Sequence, residues 1–213
     1  MIVSHRHRLI FLKTRKTAGT SVEIALSRIC GPEDTITRLT DEDEELRRSL
    51  GGRGPQNFES PPLAAKAFNH MLARGVRRIV GPEVWSDYFR FAIERNPWDL
   101  VVSQYYWRYR NEDAPPFDEF VRRPVVAKLA DKNAGIYRLR GEIAVDRVLR
   151  FESLATELAE VWAERGLPGS PELPHAKSYS RPARSYRELY TDDTRDLVGS
   201  LFAGVVRDLG YEF

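Results

Sequence analysis

The stretch from Leu9 to Glu23 combines the residue types that bind a phosphate group. Leu9–Leu12 is apolar and predicts a buried strand. Basic and small residues follow up to Gly19, and an apolar helical face begins at Val22. A helix start offers backbone N–H groups and the positive end of the helix dipole, and small residues let an anion approach the backbone. We therefore predict a phosphate-binding loop here. A solvated basic turn is the weaker alternative, because strand, small residues, hydroxyls and cations coincide.

A second strand-to-helix junction follows later in the chain. The aromatic and β-branched run Tyr88–Ile93 predicts a core strand. Asn96 is a good helix N-cap and Pro97 fits the first helical position, so a helix follows directly. Arg95 then lies at the strand end, and Ser103 lies on the second turn of the helix. Taken alone, this pair indicates a surface arginine and an ordinary helix serine.

Composition limits the classes of protein to which the chain can belong. Its 213 residues suit a single α/β domain over residues 1–213, and 42% hydrophobic residues indicate a folded protein. The 33 basic and 31 acidic residues leave a net charge of +2, which argues against a general nucleic-acid binder. Cys30 is the single cysteine, so no cysteine metal site is expected. Without a signal peptide or a run of membrane-spanning length, we expect a soluble, cytoplasmic protein with no membrane span.

Hydrophobic strands alternate with amphipathic helices along the chain. Residues 71–80 predict a helix, residues 83–87 a short turn, residues 147–151 a third core strand and residues 152–165 a further helix. This alternation requires crossover connections. We therefore predict a three-layer α/β sandwich, in which a mainly parallel sheet is flanked by helices.

The hexapeptide Lys16–Ser21, Lys-Thr-Ala-Gly-Thr-Ser, differs from the common nucleotide loop Gly-x-x-x-x-Gly-Lys-Ser/Thr, because its lysine precedes its glycine. It resembles the 5′-phosphosulfate loop of sulfotransferases that use 3′-phosphoadenosine 5′-phosphosulfate (PAPS), most closely the carbohydrate-sulfotransferase branch. Arg-Asn-Pro-Trp-Asp from Arg95, with a serine eight residues after the arginine, resembles the 3′-phosphate motif of that family. Residues 150–154 and the terminal Gly-Tyr-Glu-Phe also match. The resemblance is weakest at residues 35–58 and 111–141.

The resemblance implies a P-loop-NTPase-like sulfotransferase fold and a PAPS-dependent activity that leaves the product PAP. In relatives, the two motifs bind the 5′-phosphosulfate and the 3′-phosphate, and a loop at residues 173–186 folds over the nucleotide. The cofactor-binding residues implied in this way are Arg15, Lys16, Thr17, Ala18, Gly19, Thr20, Ser21, Arg95, Ser103, Lys177, Ser178, Arg181 and Arg184. No metal is expected.

Sulfuryl transfer needs a positive charge at the leaving phosphate and a base for the acceptor hydroxyl. Lys16 is a mobile point charge at the loop, and the family analogy gives it the first role. Relatives place a catalytic histidine between the two phosphate motifs, where His70 lies, and an ordinary histidine pKa near neutrality suits a general base. Glu59, Glu94 or the acceptor itself are the fallback bases. The histidines before the first strand are expected to be solvent-exposed: His5 and His7.

The acceptor and the oligomeric state stay open at this point. A carbohydrate hydroxyl is the expectation from the family, with a lipid or small-molecule hydroxyl as alternatives. We interpret residues 35–58 as a surface excursion that could border the acceptor site.

A kinase-like phosphotransferase and a non-catalytic nucleotide-binding protein are the competing functions. The order of residues in the loop and the lack of an obvious magnesium carboxylate argue against the first. The joint presence of Lys16, His70, Arg95 and Ser103 argues against the second.

Overall fold

The computed structural model describes residues 1–59, 61, 63–174 and 185–213. The chain divides into two compact units. The first comprises Met1–Glu94 and the segment that begins at Gly135, and the second comprises Arg95–Ala134 and the C-terminal segment. The prediction of a single domain over the whole chain stays a prediction.

Seven short strands lie in the described parts of the chain: β1 (Ile2–Ser4), β2 (Leu9–Leu12), β3 (Thr35–Ile36), β4 (Phe89–Glu94), β5 (Arg138–Leu139), β6 (Glu142–Ile143) and β7 (Arg147–Arg150). The α-helices found there are α1 (Gly19–Ser27), α2 (Asp41–Ser49), α3 (Ala73–Val80), α4 (Pro82–Asp87), α5 (Pro97–Arg108), α6 (Phe117–Val121), α7 (Pro124–Tyr137), α8 (Leu154–Glu164), α9 (Asp192–Leu201) and α10 (Ala203–Leu209).

The first unit is built on a five-stranded sheet with the order β3-β1-β2-β4-β7. Strands β2, β4 and β7 are parallel, with Leu12 opposite Ala92 and Ile93 opposite Leu149. Strand β1 is antiparallel to both of its neighbours. Four of the five strands therefore run in one direction. The prediction of a mainly parallel sheet is confirmed.

Helices cover both faces of this sheet, because successive side chains of a strand point to opposite faces. Leu9 and Phe11 of β2 belong to a core cluster that includes residues of α1 and α8. Ile10 and Leu12 belong to a second cluster with residues of α3 and α4. The three-layer arrangement predicted from the alternation of strands and helices is thus present in this unit.

Two segments contain more regular structure than the sequence predicted. Residues 35–58, interpreted as a surface excursion, contain β3 and the nine-residue helix α2. Four acidic residues lie in the first turn of α2 and two arginines lie in its last turn, an arrangement that stabilises a helix dipole. Residues 83–87 form a helix rather than a turn, since Pro82 supplies a favourable first helical position.

The second unit is helical. Its core contains Trp98 and Val102 of α5, Phe120 of α6 and Val198 of α9. Asn96 caps α5 as predicted, since its side-chain oxygen accepts from the N–H groups of Trp98 and Asp99. The amide group of Asn96 also donates to the carbonyl of Glu212 at 2.8 Å, and the Phe213 ring meets the Trp98 ring edge-on. The C-terminal tetrapeptide therefore packs on the start of α5. Over all the residues that the structure covers, no helix is both long and apolar enough to cross a membrane.

Candidate functional site

The loop between β2 and α1 holds two non-glycine residues in the left-handed backbone region. Lys16 has φ of 63° and Ala18, the N-cap of α1, has φ of 57°. This conformation costs free energy and persists only where the surrounding structure imposes it, as it does at many ligand-binding sites. Ala18 offers no side-chain acceptor, and the first N–H groups of a helix have no acceptor within the helix. The loop therefore presents backbone N–H groups at the positive end of a helix dipole.

Two threonines hold the shape of this loop. The Thr14 hydroxyl donates to the carbonyl of Ile93 in β4, and it lies 2.8 Å from the Thr17 hydroxyl. Because Thr14 has one proton to give, the Thr17 hydroxyl donates to the Thr14 oxygen. Both side chains are buried. The loop is thus fastened to the carboxyl end of the neighbouring parallel strand, and the Thr17 hydroxyl is used within the loop.

Lys13, the first basic residue after β2, is buried. Its side chain is only 6% exposed, and its ammonium group forms an ion pair with Glu23 of α1, which is fully buried. The stem of Lys13 crosses Gly19, where an added Cβ would lie 2.7 Å from the Lys13 Cγ. Glycine at this position therefore admits the lysine stem. Burial favours the neutral carboxyl of Glu23, but the charges of Lys13 and the Met1 amino group outweigh it and lower the pKa of Glu23 to about 2.

His70 lies against the same loop. Its Nδ1 atom is 3.0 Å from the carbonyl oxygen of Lys13. A carbonyl oxygen can only accept, so Nδ1 carries the proton and Nε2 of the neutral ring carries the lone pair. His70 also has a positive φ of 60°. The neighbouring Asn69 is held on both sides, since its Nδ2 donates to the Arg38 carbonyl and its Oδ1 lies 3.0 Å from the Thr37 hydroxyl.

The expected pKa of His70 near neutrality is wrong for the protein without ligand. Burial, and then the positive charges of Lys13 and Arg15, lower its pKa to about 3. The ring is therefore neutral at physiological pH, with Nε2 able to accept a proton but only weakly basic. An anion bound beside Lys13 and Arg15 would offset their charges and raise the pKa of His70.

The fallback bases occupy other environments. Glu59 is exposed and pairs with Lys66 at 2.6 Å. Glu94 is fully buried at the end of β4.

The two histidines before the loop are not simply solvent-exposed, contrary to expectation. Both are half-buried. The His5 Nδ1 lies 2.8 Å from the Tyr88 hydroxyl. The His7 Nε2 donates to the Ile29 carbonyl at 3.0 Å. These contacts give both rings a structural role in the first unit.

The second predicted phosphate motif lies in the helical unit. The Arg95 Nε donates to the Asp99 carboxylate at 2.7 Å, and a second nitrogen of the same guanidinium also contacts Asp99. Ser103 is half-buried on the second turn of α5. Asp99 therefore fixes the orientation of the arginine at the start of this helix. The roles of Arg95 and Ser103 in cofactor binding stay predictions.

Some predicted residues lie outside the described parts of the chain, and their role in cofactor binding also stays a prediction: Lys177, Ser178, Arg181 and Arg184. Among the residues that the structure does cover, no cluster of three or more His, Cys, Asp or Glu side chains could hold a metal ion.

Sequence reasoning missed Glu23 and the contacts of Lys13. A pair separated by ten positions has no recognisable spacing, because the two residues lie on different elements. One signal was available in the sequence: Glu23 is the only charged residue in the segment that forms α1, and the structure shows that all nine residues of this helix are buried. A lone carboxylate in a fully buried helix requires a cationic partner.

Part of the chain is similar in sequence to an archaeal protein. No family model matches the chain. A protein of Archaeoglobus fulgidus described as uncharacterized is 33% identical over 101 residues, which are 46% of this chain and 84% of that protein. The chain belongs to the family of this archaeal protein. Among solved structures, a sulfotransferase from Alicyclobacillus acidocaldarius aligns with 97% of this chain and 96% of its own, at 16% identity and a TM-score of 0.38.

The pKa of His70 generates the first testable prediction. In the protein without ligand, the ring nitrogens of ¹⁵N-labelled His70 should show a protonated Nδ1 and an unprotonated Nε2 throughout pH 5–7. The unfolded chain binds this proton near pH 6.5, whereas the folded chain does so only near pH 3. The free energy of unfolding should therefore fall as the pH decreases through this interval, and it should fall less in His70→Gln. A ring that titrates near pH 6.5 in the folded protein would contradict this account of the surroundings of the half-buried His70.

Proposed function

We propose that this protein is a PAPS-dependent sulfotransferase that transfers a sulfuryl group to an acceptor hydroxyl. The observation that carries the proposal is the loop Lys16–Ser21. Its sequence resembles the 5′-phosphosulfate loop of PAPS-dependent sulfotransferases. The loop also contains two non-glycine residues in the left-handed backbone region, and the helix that follows it begins with no side-chain cap. A P-loop-NTPase-like site at the carboxyl end of β2 follows from this combination.

The donor groups of the loop suit a phosphosulfate. The backbone N–H groups of Gly19, Thr20 and Ser21 lie in the first turn of α1, and the loop carries the cations Arg15 and Lys16. The nearest carboxylate in the helix, Glu23, is paired with Lys13 and adds little repulsion to an incoming anion. This set favours a ligand with several negative charges over a neutral one.

When bound, PAPS supplies the sulfuryl group and leaves as PAP. Lys16 neutralises the charge that develops on the phosphate side of the breaking bond. His70 accepts the proton of the acceptor hydroxyl at Nε2, because its Nδ1–H is engaged with the Lys13 carbonyl. The anion in the loop raises the low pKa of His70 towards the range in which a base is effective. Binding of the donor and activation of the base are thereby linked.

The proposal assigns the 3′-phosphate to the second motif. Arg95 and Ser103 bind the 3′-phosphate, and Asp99 presents the guanidinium of Arg95 in a fixed orientation. A planar guanidinium donates two parallel hydrogen bonds to a phosphate. The proposal extends by family analogy to Lys177, Ser178, Arg181 and Arg184, which cover the nucleotide.

The acceptor is proposed to be a carbohydrate. Residues 38–55 line a cleft of about 370 Å³ that contains two arginines and two carboxylates among backbone groups of glycine: Arg38, Asp41, Glu44, Arg48, Gly52, Gly54 and Pro55. Paired charged groups of this kind donate to and accept from sugar hydroxyls. The Arg38 carbonyl is bonded to Asn69, the residue before His70, which connects the cleft to the proposed base.

A transfer assay tests the proposal. The purified protein should convert PAPS to PAP and sulfate a member of a library of carbohydrate, lipid and small-molecule alcohols, as read by mass spectrometry. PAP should also raise the melting temperature more than ATP or NAD at equal concentration. Stabilisation by ATP alone, together with phosphate transfer, would identify a phosphotransferase. Stabilisation by PAP without transfer to any acceptor would favour a nucleotide-binding protein.

A further prediction concerns the 3′-phosphate. Arg95→Ala should raise the KM for PAPS by about 10-fold or more, since a hydrogen bond to a charged group contributes about 1.5–3 kcal/mol. Ser103→Ala should have a smaller effect. Both variants should discriminate less well against adenosine 5′-phosphosulfate, which lacks the 3′-phosphate. The matched control is Arg108→Ala, an exposed arginine at the other end of α5. An unchanged affinity of Arg95→Ala for PAP would remove Arg95 from the site.

Kinetics separate the roles of His70 and Lys16. His70→Ala should lower kcat by about 10²–10⁴-fold and leave PAP affinity nearly intact, because a positioned base acts on the acceptor. Lys16→Ala should weaken PAP binding and turnover together. His7→Ala is the matched control, since the His7 ring also donates to a backbone carbonyl of the same unit. Nearly full turnover in a folded His70→Ala variant would assign the base elsewhere; circular dichroism establishes the fold of each variant.

A further inference from the structure

Lys13 contacts three separate parts of the candidate site. Its ammonium group pairs with Glu23, its stem crosses Gly19, and its carbonyl oxygen accepts from His70. Gly19 is the first residue of α1 and belongs to the proposed anion site. The position of one buried lysine therefore determines both the start of the helix and the orientation of the proposed base.

Glu23 fixes the position of that lysine. Its carboxylate is fully buried, so it stays charged only because cationic groups face it. The Thr37 hydroxyl lies 3.1 Å from Glu23 and 3.0 Å from Asn69, the residue before His70. Glu23 is thus connected to His70 by two routes, one through Lys13 and one through Thr37 and Asn69.

We propose that Glu23 is a positioning residue of this site: its carboxylate holds the Lys13 side chain across Gly19 and thereby fixes both the anion-binding helix start and the carbonyl that orients His70. The inference rests on the proposed function for its catalytic meaning. Glu23 does not touch a reacting atom in this scheme, and its effect passes through Lys13.

The charge of Glu23 is also part of the electrostatic surroundings of His70. The basic groups that face His70 are Lys13 and Arg15 of the loop and the amino group of Met1. Lys13 and Arg15 are positive, whereas burial lowers the pKa of the Met1 amino group to about 5, so that this amine is largely neutral at physiological pH. Glu23 contacts both Lys13 and Met1. Loss of the carboxylate removes the negative charge that Glu23 places against the buried Lys13 ammonium group, and this weakens the hold on Lys13 over Gly19.

The test compares Glu23→Gln with the double variant Lys13→Met/Glu23→Gln. Glu23→Gln should weaken PAP binding at least 10-fold in calorimetry, and the ¹⁵N spectrum of its His70 ring should show a mixture of the two neutral tautomers. The double variant should recover most of the PAP affinity and the single Nδ1–H tautomer. It removes the uncompensated charge, while the methionine stem still covers Gly19. Glu33→Gln, at an exposed carboxylate, is the control for loss of one negative charge.

Each outcome decides the proposal. Wild-type PAP affinity and a wild-type ring spectrum in Glu23→Gln would overturn it. A double variant as impaired as the single one would show that Glu23 does not act through Lys13. Should Glu23→Gln fail to fold, the double variant carries the test: a single Nδ1–H tautomer supports the proposal, and a mixed spectrum overturns it. A wild-type protein that binds no PAP would refute the proposed function, whereas the ring spectra need no cofactor and still decide whether Glu23 orients His70.

Discussion

The buried ion pair between Lys13 and Glu23 is the interaction on which the geometry of the loop depends. Removing two charges from water is costly, and a hydrophobic pair of similar volume would often be as stable. The pair therefore indicates a requirement for geometry more than for stability. It joins the end of β2 to the second turn of α1, and it forces a glycine at position 19, where the lysine stem crosses the helix start.

Backbone strain is concentrated around the same lysine. Six non-glycine residues in the described parts of the chain have positive φ, and three of them are Lys16, Ala18 and His70. Such conformations cost about 1–3 kcal/mol each and need support from their surroundings. Here the support comes from the Thr14 and Thr17 hydroxyls, the Lys13–Glu23 pair and the hydrogen bonds of Asn69. The strained backbone therefore lowers the stability of the first unit, while it keeps the backbone N–H groups of the loop in a fixed arrangement.

The elements that carry this arrangement were predictable, because their signals are local. The apolar run at Leu9–Leu12 and the aromatic run before Arg95 form central parallel strands, and Asn96 caps the helix that follows. Strands β1 and β3 were not predicted, since two or three residues are too short for a periodic pattern. Helix α2 was not predicted because nearly all of its residues are polar or charged, so that it has no apolar periodic pattern.

The residue types of the candidate site could be proposed from the sequence, but their electrostatic surroundings could not. The motif identified Lys16–Ser21, yet the partner of Lys13 is ten positions away on another element and could not be inferred. The pKa of His70 was predicted near neutrality from the free amino acid. Burial and two neighbouring cations lower it to about 3, and neither burial nor neighbours can be determined from a sequence position. An anion bound beside Lys13 and Arg15 would raise this pKa, and under the proposed function that change would strengthen the base when the donor is present.

A crystal structure of the protein with PAP tests the central claim most directly. We expect the 5′-phosphate to lie against the backbone N–H groups of Gly19, Thr20 and Ser21 and to contact the Lys16 ammonium group. The Lys13–Glu23 ion pair should be unchanged. A nucleotide bound elsewhere on the protein, with the loop in contact with solvent, would contradict the account.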